Sequence, residues 1–189
     1  MRVIAGIAGG MNLFMPRSEV RPTMDLVKGA IFSSLGERII GARVLDLFSG
    51  SGALGIEALS RGCASAVLVE KNAQAAETIQ RNLEKTKLPA KVCQMDVFHY
   101  LTRVALEHEF DLIFADPPYA KAPGERDFGR ELIDYPALAK ALAPDGLFIL
   151  EQLPGTGGHE GSAWECVRLK RYGATEVAIL TLPGSAPQV

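Results

Sequence analysis

The sequence has few cysteines, no long apolar run and little net charge, and each absence excludes a class of protein. Its three cysteines, Cys63, Cys93 and Cys166, are far apart and form no C-x-x-C pair, so neither a zinc site nor a disulfide framework is expected. No apolar stretch approaches the roughly 20 residues that span a bilayer. Glycines interrupt the apolar N-terminus, which argues against a signal peptide. We therefore expect a cytoplasmic protein without a bound metal.

Charge is nearly balanced over the 189 residues, with a formal net charge of −2, so composition alone does not indicate a nucleic-acid-binding protein. The distribution is uneven, because residues 1–43 contain six Lys or Arg and three Asp or Glu, a net of +3 that leaves −5 for the remainder. A modestly basic N-terminal region could contact phosphates, and an ordinary solvated surface would give the same count.

Apolar runs alternate with helical patterns from about residue 43, which predicts a doubly wound α/β sheet. Several runs are apolar throughout, as in parallel strands that are covered on both faces. The predicted strands are Val44–Phe48, Ala66–Glu70, Lys91–Met95, Leu112–Ala115 and Leu147–Glu151. The predicted helices between them are Ala53–Arg61, Gln74–Lys85, Val97–Glu107 and Glu131–Leu142. After these, Glu165–Arg171 and Thr175–Leu182 predict an antiparallel hairpin.

The N-terminal residues follow another pattern. Arg2–Ile7 and Asn12–Met15 predict two short strands, and Thr23 is the predicted cap of a helix from Met24 to Leu35. We expect residues 1–40 to form an extension that packs on a larger domain, residues 41–183.

The segment GSGALG, Gly50–Gly55, matches the G-x-G-x-x-G fingerprint of dinucleotide-binding sites. Its surroundings favour another ligand. A dinucleotide site has its first glycine directly after the strand, whereas Phe48-Ser49 lengthens this turn. The nearby carboxylate of Asp46 would repel a pyrophosphate and suits the amino group of S-adenosylmethionine. Gly50 and Gly52 would let the backbone approach that ligand, and Gly55 would ease helix-on-sheet packing.

Two further carboxylates follow the next predicted strands. Glu70 can accept hydrogen bonds from ribose hydroxyls, a feature shared with NAD sites. Asp96 can accept from the adenine amino group while Val97 packs on the ring, although an aspartate here also commonly caps the next helix. Three acidic strand ends in succession favour S-adenosylmethionine over NAD as the cofactor.

The most specific motif is Asp116-Pro117-Pro118-Tyr119, which follows the fourth predicted strand. An exocyclic amine of a nucleobase is a poor nucleophile, because its lone pair is delocalised into the ring. The Asp116 side chain and the Pro117 carbonyl can accept its two hydrogens, and the prolines hold both acceptors in place. Tyr119 can stack on the base. A simple strand-ending turn is the alternative.

These motifs together resemble the class I S-adenosylmethionine-dependent methyltransferases, and more closely the RsmD family of bacterial 16S rRNA guanine-N2 methyltransferases. The resemblance covers nearly the whole chain, including Met1–Gly6, Arg21–Asp25, Ala30–Phe32, Leu45–Gly62 and Lys170–Gly173. It implies a Rossmann-like, seven-stranded, mostly parallel sheet that ends in an antiparallel hairpin. It also implies an rRNA partner within an assembled or assembling 30S subunit, release of S-adenosylhomocysteine, and no membrane. We expect a monomer.

On this basis the predicted catalytic residues are Asp116, Pro117, Pro118 and Tyr119. The predicted cofactor-binding residues are Asp46, Phe48, Gly50, Gly52, Glu70, Lys71, Asp96, Val97 and Thr23. The predicted substrate-binding residues are Arg17, Arg21, Lys28, Lys121 and Arg126. Residues 120–129 could close over a flipped base or be a plain solvated loop. The family's basic Arg-Gly-Arg-Lys-like stretch is replaced here by Gly9–Leu13, which reduces the positive charge on the side of the molecule expected to face RNA.

Other functions remain open at this point. A DNA adenine-N6 methyltransferase would use the same chemistry, although 189 residues leave little space for a target-recognition region. An NAD-dependent oxidoreductase built on GSGALG lacks a second domain, and a non-catalytic binding module would not need the motif at Asp116. A protein glutamine methyltransferase more typically has Asn at that position.

Overall fold

Within the described residues, seven strands form a single sheet in a computed structural model that describes residues 1–16, 24–105, 110–120, 122, 124–156 and 162–185. The strands are β1 (Arg43–Leu47), β2 (Ser65–Glu70), β3 (Lys91–Gln94), β4 (Phe110–Ala115), β5 (Leu142–Gln152), β6 (Glu165–Tyr172) and β7 (Thr175–Thr181). Their order is β3-β2-β1-β4-β5-β7-β6, and only the pairings of β7 with β5 and β6 are antiparallel. The predicted fold class is confirmed.

The described helices are α1 (Met24–Leu35), α2 (Ala53–Ser60), α3 (Ala73–Thr86), α4 (Val97–Arg103), α5 (Phe128–Ile133) and α6 (Pro136–Ala141), with a 3₁₀ turn at Gly36–Ile39. Side chains cap three of them: Asn72 caps α3, Asp96 caps α4 and Asp127 caps α5. The single helix predicted for 131–142 is wrong. Pro136 begins a new helix there, because it has no N–H to continue the hydrogen bonds of α5.

The core has two layers, one on each face of the sheet. Residues alternate between them along β1, where Val44 faces one cluster and Leu45 the other. The first cluster joins the sheet to α1, α2, α3 and the N-terminal residues, and the second joins it to α4, α5 and α6. Both faces of the parallel strands are therefore covered, which explains their continuously apolar sequences.

The N-terminal residues pack on α2 and are held there by polar side chains. The two short strands predicted here are wrong, because Arg2 and Asn12 form only an isolated antiparallel bridge. The carboxylate of Glu57 accepts hydrogen bonds from the backbone N–H groups of Ile4 and Ala5, at 2.7 and 3.0 Å. A side chain at Gly6 would clash with this helix, since a Cβ there would lie 1.8 Å from the Ser60 carbonyl oxygen.

The two edge strands of the sheet differ from the central ones. β3 has four residues, and β6 has a register irregularity between Cys166 and Arg168 in its pairing with β7. β6 is also mostly exposed or half-buried, whereas every residue of β7 beside it is buried. Among the described helices, none combines the length and the apolar character needed to cross a membrane.

Candidate active site

The sheet provides a crevice at the carboxyl ends of β1 and β4. The chain runs from β1 through β2 to β3 on one side and continues with β4 and β5 on the other, so the strand order reverses between β1 and β4. Ligands of open α/β sheets bind at this kind of reversal. Asp46 near the end of β1 and Asp116 directly after β4 both lie there.

A cavity of about 750 Å³ occupies this crevice. Eight predicted site residues line it: Phe48, Glu70, Lys71, Asp96, Val97, Asp116, Pro117 and Pro118. Asn72, Ala73 and Phe128 complete the wall. Three carboxylates and an apolar surface thus enclose a space large enough for a nucleoside with a charged tail.

A smaller cavity of about 70 Å³ adjoins the large one, and Phe48 and Asp116 belong to the walls of both. Asp46 and the backbone around Gly50 form part of it. Glu151 and Thr175, from β5 and β7, line it on the other side. The small cavity therefore lies between the glycine-rich loop and residues of β5 and β7.

Asp46 is buried, with 1% of its surface exposed, and its Oδ2 accepts a hydrogen bond of 2.9 Å from the backbone N–H of Gly55. Its pKa is raised to about 7, chiefly by burial and also by the negative charges of Asp116 and Glu70, against the lowering effect of that hydrogen bond. A cationic group in the small cavity would favour the ionised carboxylate.

Glu70 holds the glycine-rich loop in place. One carboxylate oxygen accepts from the N–H of Gly50 at 2.8 Å, and the other accepts from the N–H of Asn72 at 2.7 Å. Because each oxygen has further acceptor capacity, these bonds are compatible with the predicted role toward ribose hydroxyls. That role stays a prediction.

Asp96 caps α4 and also lines the large cavity, so the two alternatives for this residue coexist. Its Oδ1 accepts from the N–H groups of Phe98 and His99, and Lys71 lies 3.4 Å from its other oxygen. Burial acts to raise the pKa of Asp96, but these hydrogen bonds and the Lys71 ammonium outweigh it and hold the pKa below its ordinary value. The carboxylate is therefore ionised and oriented at neutral pH.

The three glycines of GSGALG have different roles. Gly50 lines the small cavity with a left-handed backbone, at φ +53°. Gly55 serves helix packing, as predicted, because a Cβ there would lie 2.9 Å from the Leu68 side chain. Gly52 has a left-handed backbone, at φ +79°, and a Cβ there would lie 3.0 Å from Leu68 and 3.2 Å from Ile79, so glycine also allows close packing. Its role toward the cofactor stays a prediction.

Aromatic rings form one wall of the large cavity. Phe48 has an unusual left-handed backbone for a non-glycine residue, at φ +57°, and its ring meets that of Phe128 edge-on at 5.5 Å. Phe128 stacks on Phe98 at 6.4 Å, and the Arg126 guanidinium lies over both of these rings. The arrangement provides a flat apolar surface close to the Asp96 carboxylate.

The segment Asp116-Pro117-Pro118-Tyr119 borders the large cavity and both small ones. Pro117 is buried and Pro118 is exposed, and both border the large cavity and a third cavity of about 80 Å³. Tyr119 lines this third cavity, and its hydroxyl lies 3.4 Å from Thr175 Oγ1. Glu151 lines both small cavities, so one carboxylate borders the spaces on either side of Asp116 and Tyr119.

Comparison with known proteins agrees with this geometry. A family model described as "Conserved hypothetical protein 95" matches residues 1–181. The chain belongs to this RsmD-like family of class I S-adenosylmethionine-dependent methyltransferases. The predicted family and cofactor are confirmed.

Two curated relatives illustrate the similarity in sequence. A Bacillus subtilis protein described as "Putative rRNA methyltransferase YlbH" is 38% identical over 188 residues, which are 95% of this chain and 97% of that protein. Ribosomal RNA small subunit methyltransferase D of Escherichia coli is 37% identical over 123 residues, 64% of this chain and 61% of that protein.

Among solved structures, a protein described as "Putative methyltransferase yhhF" from Escherichia coli has a TM-score of 0.79 and 29% identity, over 96% of this chain and 97% of that one. The Thermus thermophilus 16S rRNA N2 G1207 methyltransferase RsmC, in complex with AdoMet and guanosine, has a TM-score of 0.70 and 25% identity, over 91% of this chain and 44% of that one.

The substrate-binding residues predicted for this RsmD-like chain differ in whether the structure describes them and in whether their charge is accessible. Arg17, Arg21 and Lys121, together with the predicted cofactor residue Thr23, lie outside the described residues. Arg126 is exposed but forms a two-pronged ion pair with Glu131.

Lys28 needs correction, because it is 2% exposed and its ammonium donates to Glu57 at 2.9 Å and to the Arg2 carbonyl. Burial lowers the pKa of Lys28 against the opposing effect of the Glu57 carboxylate. In this family member the side chain anchors the N-terminal residues and does not offer its charge to RNA.

Sequence reasoning missed several residues of the site. The sequence does contain a signal for Glu151 as a site residue, because Glu151 is the last residue of a predicted strand, as Glu70 is. Phe128 and Thr175 had none, since they meet the cavities only after the loop before α5 and the hairpin turn are folded. Asn82 is fully buried in α3 and donates to the Ser51 carbonyl at 2.9 Å, a contact that no local pattern predicts.

Proposed function

We propose that this RsmD-like methyltransferase transfers a methyl group from S-adenosylmethionine to the exocyclic N2 amine of a guanine in small-subunit rRNA. The observation that carries the proposal is the position of Asp116-Pro117-Pro118-Tyr119 between the large cavity and the two small ones. A methyl donor in the large cavity and a base beside the motif would meet at Asp116.

The residues of the large cavity fit S-adenosylmethionine, which supplies an electrophilic methyl group on a positively charged sulfur. Asp96 would accept hydrogen bonds from the adenine amino group, and Val97 and Phe128 would pack on the ring. Glu70 would accept from the ribose hydroxyls. Asp46, in the adjoining cavity, would bind the amino group of the methionine part.

The motif would activate the acceptor amine. Asp116 and the Pro117 carbonyl would accept the two amine hydrogens, which favours a tetrahedral nitrogen with an available lone pair. Tyr119 would hold the flipped base by stacking. The nitrogen loses one proton after it bonds to the methyl carbon, and either Asp116 or solvent can take that proton.

Glu151 supports guanine over adenine as the target. It lies beside Asp116, because Leu150 pairs with Ala115 where β5 runs parallel to β4. Guanine carries an N–H donor at N1, next to the N2 amine, which a second carboxylate can accept, whereas adenine presents an acceptor at N1. A carboxylate next to the reacting amine therefore favours guanine N2. The neighbour RsmC, described as an N2 methyltransferase in complex with guanosine, has the same fold.

Methyl transfer from labelled S-adenosylmethionine tests the proposal. The acceptors would be 30S subunits, naked 16S rRNA and duplex DNA, with the ribosomal material taken from a strain that lacks its own RsmD-type enzyme. We expect label in rRNA, recovered as N2-methylguanosine after digestion to nucleosides.

Two controls make this experiment decisive. Asp116→Ala should abolish the label, and Asp134→Ala, an exposed carboxylate paired with Arg130, should not. Label in N6-methyladenosine, or in DNA alone, would establish the competing adenine methyltransferase. No transfer to any acceptor, with the cofactor bound, would support a binding module.

A further inference from the structure

A basic and aromatic cluster lies outside the three cavities, where the N-terminal residues cross α3. It consists of Phe14, Arg81 and Lys85, and we call it the Phe14 patch. The Phe14 ring is 39% exposed. The Arg81 guanidinium lies 4.5 Å from the ring centroid and the Lys85 ammonium lies 4.6 Å from it. Both cations are exposed, so this ring positions two charges at the surface.

Within the part of the chain that the structure describes, the two cations of the Phe14 patch have no acidic partner within ion-pair distance. Among the described residues, neither Arg81 nor Lys85 belongs to a salt bridge, in contrast to six other cations of this part of the chain: Lys28, Arg43, Arg61, Lys71, Arg126 and Arg130. Arg81 and Lys85 are four residues apart on one helix face, where like charges repel each other. An anion that contacts both would relieve this repulsion.

The backbone at Phe14 is fixed by a single buried side chain. Asn82 accepts from the Phe14 N–H at 2.7 Å and donates to the Phe14 carbonyl at 3.0 Å. The same amide donates to the carbonyl of Ser51, which lines the small cavity. The Phe14 patch therefore has a fixed position relative to the site where the target base would react.

The positions of Arg81 and Lys85 over the Phe14 ring leave both side chains able to bind a phosphate group. A cation that lies over a ring face uses its own flat or apolar side for that contact and keeps N–H groups for other acceptors. Because the ring restrains both side chains, less conformational entropy is lost when an anion binds. Two restrained cations on one face match successive phosphates of a nucleic-acid strand.

We propose that the Phe14 patch is a second contact site for the rRNA, at which Arg81 and Lys85 bind phosphates of nucleotides that flank the target. This inference rests on the proposed function, since the strand that it binds is the methylated rRNA. The patch carries no base-reading group, so it contributes to affinity and register rather than to the choice of guanine.

Steady-state kinetics of Arg81→Gln/Lys85→Gln with 30S subunits and with 16S rRNA test this inference. The matched control is Arg103→Gln/Lys140→Gln, which removes two exposed charges from α4 and α6. We expect the patch variant to raise the KM for rRNA at least several-fold, with kcat and the affinity for S-adenosylmethionine unchanged. Phe14→Leu should raise the KM less, because the charges remain but lose their restraint.

The salt dependence provides an independent readout. Each lost phosphate contact lowers the slope of log affinity against log salt by about 0.7 for a single strand, so the double variant should lower it by about 1.4. A KM and salt slope equal to those of the control variant would overturn the patch while leaving the methyltransferase assignment intact. If the wild-type protein methylates no rRNA, the proposed function itself fails.

Discussion

Four carboxylates lie around the large cavity and the small cavity that adjoins it. Their surroundings differ, and the differences give each carboxylate a different expected role. Asp46 is buried near two other negative charges, and its pKa is raised to about 7. Asp96 receives two backbone N–H groups and a nearby ammonium, and its pKa is lowered. Glu70 is held by backbone donors on both oxygens, and Asp116 stands at the junction of the cavities.

Cofactor binding should therefore depend on pH through Asp46. The cationic amino group of S-adenosylmethionine favours the ionised carboxylate, so affinity should increase as the pH rises through about 7. At pH 6 the dissociation constant should be about tenfold weaker than at the plateau, since only about a tenth of the carboxyl groups are ionised one unit below their pKa. Isothermal titration calorimetry from about pH 5.5 to above pH 8, where more than about nine tenths of these carboxyl groups are ionised, measures this.

Asp46→Asn is the control, because it keeps an acceptor for the Gly55 N–H and has no charge to titrate. Its affinity should be lower and nearly independent of pH. The same carboxyl group affects the stability of the unliganded protein. Because folding raises its pKa from 3.8 to about 7, its contribution is full below the lower value and is lost as the pH rises from there through about 7. A wild-type affinity that stayed constant over this range would contradict the role of Asp46.

Asp116→Ala should separate chemistry from binding. Loss of one preorganised acceptor at the reacting amine should lower kcat by about 100- to 1,000-fold. Cofactor binding, measured by calorimetry, should survive because the other cavity residues remain. Asp134→Ala, which removes an exposed carboxylate directly after α5, should leave both quantities unchanged. Retained turnover in Asp116→Ala would remove this residue from the mechanism.

Helix α2 connects the cofactor loop, the sheet and the N-terminal residues. Gly55 allows it to approach Leu68 on β2, while the Glu57 carboxylate holds the N-terminal residues and pairs with Lys28 and Arg61. A displacement of α2 would therefore disturb the site and the N-terminal packing together.

Gly55→Ala should destabilise the protein although alanine is the better helix former. The added Cβ would lie 2.9 Å from the Leu68 side chain, and such overpacking costs about 1–3 kcal/mol of the free energy of unfolding. Urea denaturation measures the change. Gly29→Ala on α1 is a matched control, because its Cβ would meet only the flexible end of Ile4 at 3.3 Å, and the variant should be neutral or stabilised. Equal stability of the two variants would contradict the packing argument.

The sequence predicted those helices and strands whose bounds depend on local pattern. It failed for segments whose conformation is set by contacts with residues far along the chain. The bounds of β1, β2 and β3 lie within one residue of prediction, because continuous apolar runs and polar ends are local signals. The break at Pro136 also had a local signal, which the long helical pattern obscured. The N-terminal residues form no strands because Glu57 and Ser60, about 50 residues away, satisfy their backbone N–H groups.

The candidate site was predictable where its residues follow strands that the sequence shows, and not where contacts between distant residues decide. Asp46, Glu70, Asp96 and Asp116 were found because each lies in or directly after a predicted strand. The buried state of Lys28 was not, since a lysine on a predicted helix face has no sequence signal for a carboxylate on another helix.

The whole molecule should gain stability when it binds its cofactor, because a ligand that binds only the folded state shifts unfolding by mass action. At 100 times the dissociation constant the gain is about 2.7 kcal/mol, which corresponds to a rise in Tm of about 5–10 °C for a chain of this size. Differential scanning fluorimetry with S-adenosylmethionine or S-adenosylhomocysteine measures this. NADH at the same concentration should produce no shift, and a larger shift with NADH would restore the dinucleotide interpretation of GSGALG.

The edge strands have a consequence for how the protein behaves at high concentration. An open sheet offers unpaired backbone groups at both edges, where a second sheet could add and begin aggregation. β3 is too short to provide a long template, and the irregularity near Cys166 disrupts the regular spacing of β6. Arg168, Lys170 and Arg171 add positive charge along β6, so a second copy that approached this edge would be repelled.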